Sequence, residues 1–126
     1  MDDFRILAIN PGSTSTKIAV FHNANPVFVK NITHTTEELA AFEHIADQFS
    51  FRKEIIYKEL LNAEAELDLI RAIVGRGGML KPIPSGVYEV NEAMRNDLLY
   101  HPIKEHASNL GGLIADEIAR SLPDAK

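Results

Sequence analysis

Residues 10–17 read Asn10-Pro11-Gly12-Ser13-Thr14-Ser15-Thr16-Lys17. Pro fixes φ and Gly tolerates positive φ, so Asn-Pro-Gly predicts a tight turn. Four hydroxyl side chains and a Lys follow it directly. A turn dense in hydroxyls, backbone N–H groups and one ammonium can wrap a phosphate group. Apolar runs flank it, Ile6 to Ile9 before and Ile18 to Phe21 after, so the pattern is strand, polar turn, strand. It is not a Walker A loop, which needs Gly-Lys-Ser/Thr leading into a helix. The same residues also fit an ordinary hairpin whose hydroxyls satisfy only its own turn.

A second polar focus follows the apolar run Leu67–Val74. Gly75 to Gly86 holds four Gly and two Pro in twelve residues and contains Arg76. That composition predicts a loop, and long loops in compact domains are often functional. If the strand before Arg76 runs parallel to the first strand, Arg76 and the polar turn share the carboxyl end of one sheet, where ligands of open α/β sheets collect. A guanidinium there can clamp a carboxylate or phosphoryl group with two hydrogen bonds. A solvated loop Arg is the plainer alternative.

Ile9 to Lys17 resembles the N-terminal phosphate loop of the acetate and butyrate kinase family, within the actin, sugar kinase and Hsp70-like superfamily. Val74-Gly75-Arg76-Gly77-Gly78-Met79-Leu80-Lys81-Pro82-Ile83 and Glu105-His106-Ala107-Ser108-Asn109-Leu110-Gly111 resemble butyrate kinases more closely still. The resemblance spans nearly all 126 residues. It implies an N-terminal ribonuclease H-like domain over 1–126, without the larger C-terminal nucleotide-binding part of such kinases. It implies phosphoryl transfer between ATP and a short-chain fatty acid such as butyrate, giving acyl phosphate and ADP, reversibly and with magnesium held mainly by the other part. It therefore also implies that these residues alone do not turn over ATP.

The resemblance implies site residues too. Asn10, Ser13, Ser15 and Lys17 become phosphate-side residues, with Gly12 and Thr14 included for their place in the turn. Arg76 matches an Arg that binds the transferred group. His106 and Asn109 match an active-site His-to-Asn string, but aligning the Asn puts Glu105 under the His. A helix-terminal His bonding locally fits His106 as well. Gly77 and Gly78 stand where acetate kinases carry two Val, which implies room for a longer acid. Restoring two Val would then shift preference toward acetate. His22, His34, His44 and His101 show no ligand-like grouping, and no metal site is expected among these residues.

At 126 residues, with 45% hydrophobic and 25% charged content, the chain is long enough for a core and has the balance of an ordinary globular domain. A net charge of −5 argues against a nucleic-acid footprint. There is no Cys, which excludes disulfides and thiolate metal sites. No apolar run approaches membrane-spanning length. Met1-Asp2-Asp3 leads directly into the first strand, so no signal peptide is expected and a cytoplasm is the simplest setting. The resemblance adds a homo-oligomer for the full-length protein.

The elements that must position these residues follow from periodicity. Strands are expected at 4–10, 16–22 and 27–33, a meander of three. Thr35 with Glu38 forms a capping-box pattern, and helices are expected at 36–48 and 50–64, the latter with Ile56, Leu60 and Ala63 on one face. A buried strand ends at Val74 and, following a helix, runs parallel to the first. Val87–Val90 is expected as a short strand, with Asn91 capping a helix over 92–99. The last helix is expected at 104–121, with Leu110, Ile114, Ile118 and Leu122 as its stripe. Gly111-Gly112 inside it costs roughly 1 kcal/mol per Gly against Ala, which implies a very close neighbour. The fold class is thus α/β: a mixed sheet, ribonuclease H-like, with flanking helices. Two alternatives stand beside the kinase reading. One is a non-catalytic actin-like or regulatory nucleotide-binding module. The other is a plain α/β interaction domain.

Overall fold

The computed structural model describes residues 4–80 and 82–126. Met1–Asp3, the residues that bear on the expected absence of a leader, and Lys81 of the glycine-rich motif lie outside them. Strands β1 (Arg5–Pro11), β2 (Ser15–His22) and β3 (Asn25–Thr33) form the meander. Strand β4 (Ile70–Gly75) joins the other side of β1, giving the order β3-β2-β1-β4. The β1–β2 and β2–β3 pairs are antiparallel and β1–β4 is parallel. The expected mixed sheet is therefore present.

Alternation along the strands explains which face is buried. Leu7, Ile9, Ile18 and Val20 are buried, and they are joined by Ile56 and Leu60 of helix α2 (Phe49–Asn62). Helix α4 (Asn109–Ser121) adds Leu110, Leu113, Ile114 and Ile118 to the same cluster. The other sheet face bears Asn10 and Lys17 as a cross-strand pair and leaves Val29 and Val74 exposed. At the free edge of β4 the Lys126 N–H donates to the Arg71 carbonyl, and the Ile73 N–H donates to the Lys126 carbonyl.

The close neighbour implied by Gly111 is β4 itself. A Cβ on Gly75 would lie 2.2 Å from the Gly111 carbonyl carbon, and one on Gly111 would lie 2.7 Å from the Arg76 carbonyl oxygen. Strand end and helix start touch backbone to backbone, and only paired glycines permit it. Gly111 thus offsets its helix cost by bringing α4 onto the strand that delivers Arg76.

Local signals succeeded where caps are strong. Thr35 and Glu38 form the reciprocal box at the start of α1 (Thr36–Ala40), and the Asn91 side chain accepts from the Met94 N–H at the start of α3 (Glu92–Tyr100). Three expectations fail. The helix expected over 36–48 stops at Ala40, because His44 turns extended and begins a separate 3₁₀ turn, Ile45–Gln48, with Asp47 bonding back to its N–H. Val87–Val90 is not a strand: Val87 is 95% exposed and the run pairs with neither edge of the sheet, so it gains nothing from extension. The last helix starts at Asn109 rather than 104. Residues 104–108 are instead non-helical, with a turn at Ala107 and Ser108, and the Ser108 N–H donates to His106 Nδ1 at 3.0 Å.

Candidate functional site

The parallel pairing of β1 and β4 decides where Arg76 lies. Ile9 registers with Gly75, and one residue on the Arg76 N–H donates to the Ile9 carbonyl at 2.9 Å. Arg76 therefore emerges at the carboxyl end of β4, beside the point where Asn10 and Pro11 lead into the polar turn. Its side chain is exposed. The turn is closed by a 2.7 Å bond from the Gly12 N–H to the Ser15 carbonyl. Ser13 and Thr14 are exposed at its tip, and Lys17 is exposed on β2. Gly12 does not use the left-handed region expected of it; among the described glycines only Gly77 and Gly78 have positive φ. The turn closes through the Gly12–Ser15 bond instead.

Beneath the turn lies a cluster that local pattern reading missed. Arg52 of α2 is fully buried. Its Nη1 donates to the Ser15 carbonyl at 2.9 Å and to Thr16 Oγ1 at 3.3 Å, and its Nη2 to the Ser13 carbonyl at 3.3 Å. Its Nε donates to Gln48 Oε1 at 3.0 Å. The His34 N–H takes the carbonyl between these, that of Thr14, at 2.8 Å. The Thr16 hydroxyl is not on the solvent side with its neighbours: it is buried, 2.7 Å from His34 Nε2. A signal for Arg52 exists. It falls four residues before Ile56 and eight before Leu60, on the stripe the apolar periodicity defines.

His34 is buried, and burial first, then the Arg52 guanidinium, hold its pKa below the ordinary value; Glu38 opposes them. His34 is therefore kept neutral in the folded state. An unfolded His titrates near pH ~6.5, so below that pH the unfolded chain binds a proton that the native one refuses. Stability then rises with pH through this window and falls as pH drops below ~6.5. Urea unfolding at pH 7.5 and 5.5 should show a smaller pH-dependent loss in His34→Gln than in the wild-type protein. Equal losses would mean that His34 titrates normally.

The remaining expected residues have local tasks. Asn109 is buried; its Oδ1 accepts from the Met79 N–H at 2.6 Å, and its Nδ2 donates to the Lys104 carbonyl at 2.9 Å. Both ends of its amide are engaged: Oδ1 latches the Arg76 loop to α4, and Nδ2 ties down the segment that leads into that helix. His106 is exposed and lies 2.9 Å from the Ser108 hydroxyl. Glu105 turns elsewhere, accepting from the Ile45 N–H at 3.2 Å and lying 3.3 Å from His44. Gly77 (φ +88°) and Gly78 (φ +135°) occupy backbone conformations that side chains disfavour, and a Cβ on them would meet Ser108 at 2.9 Å and Leu98 at 3.0 Å. Loop geometry is therefore reason enough for both glycines, and two Val there would strain the loop besides filling space.

The electrostatics favour an anion. No acidic residue occurs in 4–36 or in 69–88, although the chain carries 18 acids. The turn, Lys17 and Arg76 thus present hydroxyls and cations without a competing carboxylate in their own segments. No cage for a metal forms from three or more acidic or His side chains among the described residues. No described helix is long and apolar enough to cross a membrane. Hollows lie around the Ile45–Gln48 turn and between α3 and α4, away from the polar turn; Ser13, Thr14, Lys17 and Arg76 are exposed at the surface.

No family model matches the chain. Among curated proteins, it is 57% identical over 120 residues to a probable butyrate kinase of Bacteroides thetaiotaomicron, covering 95% of this chain and 33% of that protein. It is 49% identical over 119 residues to butyrate kinase 1 of Clostridium acetobutylicum, covering 94% and 34%. A probable butyrate kinase of Phocaeicola vulgatus is 50% identical over 116 residues, covering 92% and 32%. The chain spans about a third of the length of the curated relatives it matches.

Proposed function

We propose that this chain, homologous to about a third of a butyrate kinase, is the N-terminal ribonuclease H-like domain of a carboxylate kinase. The observation that carries the proposal is the parallel register that sets Arg76 beside the polar turn, in a chain 49–57% identical to enzymes of that name. The reaction is ATP plus butyrate, or a related short-chain acid, giving acyl phosphate and ADP. A carboxylate oxygen forms a bond to the γ-phosphorus as the bond to the ADP oxygen breaks.

Phosphoryl transfer asks the protein for positioning and charge neutralisation rather than covalent chemistry. Asn10, Ser13, Thr14, Ser15 and Lys17, with Gly12 shaping the turn, hold phosphoryl oxygens. Arg76 neutralises the carboxylate or the group in transfer. Asn109 holds the Arg76 loop in place, Gly77 keeps that loop close to the start of α4, and Gly78 keeps it close to Leu98 of α3. His106 is the weakest member of the set, its Nδ1 being engaged with Ser108. Magnesium would neutralise phosphate charge when bound, and among the described residues no group of three or more acidic or His side chains forms a cage for it. A cytoplasmic setting and a homo-oligomeric full-length enzyme belong to the same proposal.

The test is hydroxamate trapping of acyl phosphate by the full-length protein with ATP, magnesium and butyrate. ATP-dependent hydroxamate in the presence of butyrate is expected. Its absence, with the protein folded, would overturn the reading.

A further inference from the structure

Arg52 sits where an unpaired charge is expensive. It is fully buried, burial is the influence that lowers its pKa, and among the described residues no carboxylate pairs with it. A guanidinium stays protonated in proteins, so the charge is present. Burying one without a counter-ion is costly, and such groups are ordinarily paired. What the side chain meets instead is the underside of the polar turn. The carbonyls of Ser13 and Ser15 accept from Arg52 and that of Thr14 from the His34 N–H. Three successive carbonyl dipoles are thereby tied to the interior, and none of them needs to face an incoming anion. The fork geometry holds two carbonyls at once, which a point charge such as Lys cannot do.

We infer that Arg52 is the positioning residue of the polar turn, and that its missing counter-ion is the phosphoryl group bound on the turn's outer side. The inference rests on the kinase reading above. Gln48, Thr16 and His34 hold the guanidinium in register and supply no charge.

Two variants of the full-length protein separate a positioning role from a merely structural one. Gln48→Glu is nearly isosteric and places a carboxylate on the Arg52 Nε, 3.0 Å away in the wild type. It leaves every Arg52 bond possible and cancels the charge. The fold should be as stable or more so, while KM for ATP rises about tenfold and KM for butyrate stays unchanged. Arg52→Lys keeps the charge and loses the fork. A displaced turn should then cost about 100-fold in kcat/KM.

Steady-state kinetics with ATP and butyrate varied in turn, alongside urea unfolding, read both. A Gln48→Glu enzyme with unchanged KM for ATP would overturn the counter-ion inference even if Arg52→Lys failed to fold. Wild-type kinetics in a folded Arg52→Lys would overturn the positioning role. If Arg76→Ala and Ser13→Ala also left turnover intact, the kinase site itself would be misplaced. If those two fell while the Arg52 and Gln48 variants did not, only the present inference would fail.

Discussion

Arg76→Ala in the full-length protein is expected to lower kcat/KM for butyrate by about 10³–10⁵-fold, the range seen when a transferring phosphoryl group loses an arginine. The variant should fold normally. Arg76 is exposed, and the structure ties it down through its backbone, by the N–H bond to the Ile9 carbonyl. Ala keeps that bond. Exposed substitutions away from caps, cores and networks usually change stability by less than about 0.5 kcal/mol. A large kinetic loss with an unchanged unfolding midpoint would place the guanidinium at the reacting groups. Arg76→Lys should recover only part of the loss, because an ammonium cannot make the two-point contact. Near-wild-type turnover of butyrate by Arg76→Ala would remove this residue from the site.

The 126 residues by themselves are expected to fold and yet to form no acyl phosphate. The core is present in this chain: Leu7, Ile9, Ile18, Ile56, Leu60, Leu110, Ile114 and Ile118 are all buried. The polar turn and Arg76 would therefore be displayed as described. Ser13, Thr14 and Arg76 are exposed at the surface, and the matched relatives are about three times as long. On the proposed reading, the adenosine site and the wall that closes the cleft belong to the other two thirds. Closure and orientation of reactants can account for roughly 7–11 kcal/mol of a barrier, and their absence leaves nothing measurable. Hydroxamate trapping with the purified chain, ATP, magnesium and butyrate gives the answer. Product at a rate near that of an intact acyl kinase would mean that the chain assembles a complete site by pairing with itself, or that the site is elsewhere.

The placement of the two main landmarks of the candidate site, the turn and Arg76, was legible because their signals are local. Asn-Pro-Gly followed by four hydroxyls between apolar runs needs only neighbouring residues to form a turn between β1 and β2. Arg76 follows a strand whose place beside β1 comes from the intervening helix and the chirality of such crossovers. The capping box at Thr35 and the cap at Asn91 are contacts within one helical turn. Where local pattern was weak, tertiary context prevailed. The capping box at Thr35 and the periodicity over 36–48 suggested one helix, yet α1 buries none of its residues. With no apolar face to dock, it ended where His44 and Asp47 offered a new cap.

The sequence by itself determined the strand–turn–strand unit, the sheet class, the position of Arg76 past a parallel strand, and a close neighbour at Gly111. Only the tertiary structure decided what that neighbour is, what lies beneath the turn, and what Asn109 and the two glycines after Arg76 do. Arg52 reaches the Ser13 and Ser15 carbonyls across 39 and 37 positions of sequence, and Asn109 reaches Met79 across 30. Pairings at that separation leave no periodicity for a sequence to display. They arise because α2 and α4 must both bury their apolar stripes against one sheet face, and that packing carries Arg52 under the turn and Asn109 against the Arg76 loop.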